Sequence, residues 1–101
     1  MGTSYGARVL EQANAARLDV QLAESSDVQI EQSLRRTFLV ALTEAASAEP
    51  EQIAACADWL LGVGCTVVLE AQKHAWSRYR VVVRVQGLPV TIATIELTLP
   101  D

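Results

Sequence analysis

Few residues in this 101-residue chain have the types and spacing that chemistry needs. His74 is the only histidine, and it stands beside Lys73 with Ser77 close by. A general base needs a nucleophile and an orienting acid that converge on it. Ser77 is the only neighbour of the right kind, so a triad has no further support, and His74 reads as a solvated turn residue. Cys56, Cys65 and His74 could be imagined as metal ligands. Structural zinc sites are marked by closely paired ligands, and none of these residues is paired in that way. Gly62-Val63-Gly64 carries two glycines, but it follows a helical pattern and precedes a strand pattern. Phosphate-binding loops run in the opposite order, so this segment reads as a helix stop. Glu51 and Asp58 are seven residues apart on one predicted helix, too far for a shared proton, and with Glu49 they suit a solvated acidic face. No catalytic residue, metal ligand or cofactor is expected, and no small-molecule substrate is evident.

One constellation stands out. Between residues 76 and 84 the chain alternates so that Trp76, Arg78, Arg80, Val82 and Arg84 share one face of a strand. A tryptophan and an apolar residue rimmed by arginines have the composition of a protein contact. Ile92, on the following strand, is expected to support that face.

These side chains must be positioned by a sheet. After Gly64 the apolar pattern has a period of two, and three strands are expected: Cys65–Gln72, Trp76–Gln86 and Val90–Leu99. With turns at Lys73-His74-Ala75 and Gly87-Leu88-Pro89, Leu69 faces Tyr79 and Val67 faces Val81. On the second hairpin Val83 faces Ala93, Val81 faces Ile95 and Tyr79 faces Leu97. The other side then sets Glu70 against Arg78 and Arg80 against Glu96.

The first part of the chain is helical in pattern. Ser26 and Gln29 have capping-box spacing, and Ile30, Leu34, Phe38, Ala41, Leu42 and Ala45 form an apolar stripe over about 27–47. That stripe reads as core. Pro50 suits the first turn of a second helix, whose buried face is Ile53, Ala57, Leu60 and Leu61 and whose end is Gly62 or Gly64. Residues 7–24 are ambiguous. They are rich in helix formers, yet Leu18, Val20 and Leu22 alternate. Helix is expected over most of this stretch.

The expected fold is therefore α+β, with two or three N-terminal helices packed on a three-stranded antiparallel meander. One domain would cover 1–101, helical over about 1–62 and a meander over about 65–99. Half the residues are hydrophobic and 20% are charged, enough apolar material for a core. There is no run of 18 apolar residues and no basic, apolar leader, which places the chain in the cytoplasm as an expectation. Cys56 and Cys65 then read as reduced core thiols. Seven of the eight basic residues are Arg, and Ala and Val are abundant. That usage fits a GC-rich bacterium or its phage.

The net charge is −4, and it is polarised. Residues 1–62 carry nine acidic and four basic side chains, while 63–101 carry three and four. The expected function is non-enzymatic binding of a protein partner, or of a second copy in a homo-oligomer. The contact would use Trp76, Arg78, Arg80, Val82, Arg84 and Ile92 on the outer sheet face, or the edge of the last strand. An alternative is a small phage or bacterial accessory protein, acting as an assembly component or as an inhibitor of a host defence complex. Nucleic-acid binding through the Trp and Arg strip ranks lower, because such domains show a basic excess and this chain has an isoelectric point near 4.9.

Overall fold

The computed structural model describes residues 8–9, 11, 17–24, 26–46, 48–62 and 66–100. The elements run β1 (Leu18–Leu22), α1 (Val28–Ala45), α2 (Glu51–Gly62), β2 (Val67–Ala75), β3 (Arg78–Val85) and β4 (Thr91–Thr98). The strands form one mixed sheet in the order β1-β2-β3-β4. The α+β class is as expected, and β2, β3 and β4 form an antiparallel meander. The fourth strand corrects the expectation of three.

β1 falls where helix was expected. Arg8, Val9 and Glu11 are helical, but Leu18–Leu22 pairs parallel to β2. The alternation of Leu18, Val20 and Leu22 decides the conformation once β2 is available. They lie opposite Val67, Leu69 and Ala71 on the helix-covered side, while Asp19 and Gln21 point to the other side and are exposed. A strand propensity too weak to read locally is satisfied by a neighbour.

α1 begins at an N-cap one residue later than the Ser26–Gln29 capping box proposed for it. Asp27 is extended (φ −134°, ψ 106°), and its Oδ1 accepts from the N–H groups of Gln29 (3.0 Å) and Ile30 (3.3 Å). A carboxylate at this position satisfies two otherwise unpaired donors and also suits the positive end of the helix. Asp27→Ala should therefore cost about 1 kcal/mol, measured by urea unfolding. Loss of less than a few tenths would mean that solvent satisfies those donors equally well. Leu34, Phe38, Leu42 and Ala45 form the buried stripe of α1. In α2, Cys56, Ala57 and Leu60 are buried, while Ile53 and Leu61 are half-buried against the same core. The carbonyl of Pro50 accepts from Ala54, so the proline stands at the helix entrance. α2 ends at Gly62. The Gly64 stop and Cys65 lie outside the described residues.

The second hairpin has the register expected: Val83↔Ala93, Val81↔Ile95, Tyr79↔Leu97 and Arg80↔Glu96. The first is displaced. Leu69 lies opposite Val83 and Glu70 opposite Val82, and β2 runs on to Ala75. The turn is Trp76-Ser77, not Lys73-His74-Ala75. Ser77 supplies the left-handed residue that a turn this tight requires (φ 59°). An irregularity between Lys73 and Ala75 leaves His74 without a register partner. The displacement is an even number of residues, so the same apolar side chains still face the helices.

The core lies between that sheet face and the two helices. It includes Leu34, Phe38, Leu60, Leu69, Val81 and Val83, with Val9 completing it from the start of the chain. No helix among the described residues is long and apolar enough to cross a membrane.

Candidate protein-binding face

The described helices pack on one side of the sheet, which leaves the other side as the candidate site. Alternation along β3 sends Arg78, Arg80, Val82 and Arg84 to this outer face, between Val68, Glu70 and Gln72 of β2 and Thr94, Glu96 and Thr98 of β4. Arg78 and Arg80 are exposed and make no ion pair among the described residues, although Arg80 stands opposite Glu96. Val82 is half-buried between them and Arg84.

Arg84 is committed differently. The Glu70–Arg78 pairing expected from sequence is replaced by an ion pair between the Arg84 guanidinium and Glu70 Oε1. The displaced register explains the exchange: Arg84 lies opposite Val68, and Glu70 is the next residue of β2 on that face. The Nε of Arg84 is buried without a partner, so the contact is single rather than a bidentate fork. With both side chains about two-fifths exposed, the pair contributes no more than about 1 kcal/mol.

Two residues of the expected patch lie elsewhere. Trp76 belongs to the β2–β3 turn rather than to the strand row. It is 84% exposed, with Lys73 Nζ 5.5 Å from its ring centroid, a cation–π arrangement. Ile92 is half-buried against the core. The register slips by one residue between Val83↔Ala93 and Arg84↔Thr91, and this bulge re-aims Ile92 from the face that simple alternation assigns it.

The structure adds a feature that sequence reasoning missed. Where β1 stops at Leu22 while β2 continues, the outer face has a notch. It is lined by Gln21 and Ala23, by Glu70 and Gln72 of β2, and by Arg80 and Val82 of β3. The notch joins a carboxylate, a guanidinium, two amides and an apolar floor, groups suited to orienting a polar side chain or a main-chain amide. It could have been found only by placing β1 beside β2.

Among the described residues no three His, Cys, Asp or Glu side chains converge as metal ligands. His74 is exposed at the end of β2. Cys56 is free and buried in α2, and burial pushes its thiol up to about 11, with a bond to its own backbone pulling the other way. A thiol held protonated at neutral pH is a poor nucleophile. Comparison of the chain with known protein families, curated proteins and solved structures returns no match.

Proposed function

We propose that this chain is a non-enzymatic protein-interaction module whose partner meets the outer face of the sheet, centred on Arg80 and Val82. The observation that carries this reading is the one-sided cover of the sheet. Helices bury one face, while the other presents two arginines that form no ion pair among the described residues, a half-buried valine and the notch beside them. Exposed guanidinium groups suit acidic or carbonyl-rich protein surfaces, and the valine supplies an apolar centre that contact would dehydrate. A nucleic-acid reading has less support, because Trp76 and the arginine row occupy different places and the chain is acidic.

Site-directed photo-crosslinking in the producing cell tests the proposal. A crosslinker at Gln21 or Gln72, both exposed beside the notch, should give a discrete protein adduct. The same group at Gln32, exposed on α1, should not. Adding Arg80→Gln, which removes the charge without setting two carboxylates opposite each other at Glu96, should remove most of the adduct and leave the melting temperature nearly unchanged. An adduct between two copies would identify the partner as the chain itself. Equal yields from Gln32, or none from the outer face, would sink the proposal.

A further inference from the structure

The open edge of β4 carries a second, separable inference, resting on the reading that this chain binds protein. Leu99 N–H donates to Ser77 O (2.7 Å), so the odd residues of β4 turn their backbone groups toward β3. The other ladders obey the same alternation. Gln86 N–H bonds to Thr66 O, sending even residues of β3 toward β2, and Val67 N–H bonds to Arg17 O, sending odd residues of β2 toward β1. The N–H and C=O groups of Thr94, Glu96 and Thr98 therefore point out of the sheet. No backbone group among the described residues bonds to them.

A groove runs beside this edge. The first turn of α2 stands off from the strand, and the gap is lined by Pro50, Glu51 and Ile53 on one side and by Thr94, Ile95 and Glu96 on the other. A strand edge flanked by a helix with space between them is a geometry in which an extended segment adds to a sheet. Main-chain bonds would come from Thr94, Glu96 and Thr98. The half-buried Ile53 and the buried Ile95 would receive alternate apolar side chains. Glu51 and Glu96 are both exposed, one on each wall, and the helix–turn region behind them also contains Glu49. β1, the opposite edge, has five residues against eight in β4.

Charge selects the occupant. A second copy pairing edge to edge would bring Glu51 and Glu96 of both chains along one seam, between molecules that each carry a net charge of −4. That arrangement concentrates like charge where a strand must dock. An added strand that turns its apolar residues toward Ile53 and Ile95 sends the alternate, basic side chains to the outer face, where they meet the Glu96 carboxylate favourably. We propose that the β4 edge accepts an extended segment of another protein as a fifth strand, one that alternates small apolar residues with Arg or Lys.

The probe is a fluorescein-labelled nine-residue peptide alternating Val and Arg, with a Val/Glu peptide as control. The full chain should bind the Arg peptide and not the Glu peptide, by anisotropy, with an affinity that falls as salt rises. Amide exchange at Thr94, Glu96 and Thr98 should slow. Thr94→Pro removes an outward N–H and leaves the β3 ladder intact, so it should fold normally and weaken binding about tenfold or more. Glu96→Arg should weaken the Arg peptide and admit the Glu peptide, which tests the charge term whether or not the proline variant folds. No binding, equal binding of both peptides, or full affinity in a folded Thr94→Pro variant would overturn the proposal. So would concentration-dependent dimers that Thr94→Pro abolishes, since a second copy would then hold the edge. Outer-face crosslinks that persist when the peptide fails would remove the edge site alone. A bound peptide with no outer-face crosslinks would remove the outer-face reading and leave the edge site standing.

Discussion

Phe38→Ala is expected to destabilise the fold by about 3–5 kcal/mol, the usual range for emptying a fully buried phenylalanine site. Phe38 is wholly buried in the stripe of α1, between Leu34 and Leu42, and belongs to the core shared by both helices and all four strands. A small domain has only about 5–15 kcal/mol of total stability, so this one change consumes a large part of it. The melting temperature should fall by roughly 12–40 °C, at about 4–8 °C per kcal/mol for a chain of this size. Val40 on the same helix is 57% exposed, and Val40→Ala should stay within about 0.5 kcal/mol. Urea unfolding followed by circular dichroism checks both. A Phe38→Ala loss below 1 kcal/mol would mean that the helices and sheet are not packed through this side chain.

The helical stripe behind that expectation was legible because Leu34, Phe38 and Leu42 recur at one period only. The second hairpin was legible for a related reason. Arg80 against Glu96 and Val81 against Ile95 agree on one register, and a slip of one residue would have buried charge. The first hairpin carries no such discrimination. Val67, Leu69 and Ala71 can slide by two or four residues along Tyr79, Val81 and Val83 without exposing an apolar group. Glu70 finds an arginine at Arg78 in one register and at Arg84 in the other. Ser77 breaks the tie by accepting a left-handed conformation that neither its residue type nor its neighbours announce.

The candidate site divides along the same line. The row Arg78, Arg80, Val82 and Arg84 follows from alternation inside a strand, and alternation survives an even shift. Trp76 and Ile92 sit at a turn and a bulge, where alternation fails. Leu18–Leu22 fits both a helix and a strand when read by itself, and only the parallel partner β2 separates the two. The notch depends on where β1 stops, and the edge groove on where α2 starts beside β4. Both are tertiary facts with no local signature. Contact between the two parts of the chain therefore creates the open features on which the functional proposals rest.

The same packing makes Cys56 a reporter of alkaline stability. Its side chain is 2% exposed, and burial raises the thiol from 9.0 to about 11. The folded state thus holds its proton over a pH range in which the unfolded state has already released it. Below pH 9 both states are protonated, and the full stabilisation is present. As pH rises from 9 to about 11, the unfolded chain ionises first and stability falls. Above about 11 both are ionised and the loss is complete. At 1.36 kcal/mol per pKa unit the total is about 2–3 kcal/mol. Other groups titrate in that range, so the quantity to measure is the difference between Cys56→Ala and its parent, both in a Cys65→Ala background. Cys56→Ala lowers stability by a constant packing term at every pH. The parent should lose its advantage progressively between pH 9 and 11, and the two urea midpoints should converge or cross. A difference that stays flat from pH 8 to 11 would show that the thiol ionises as readily in the fold as out of it. The helix–sheet packing around α2 would then be open to water, and the case against Cys56 as a nucleophile would lose its physical basis.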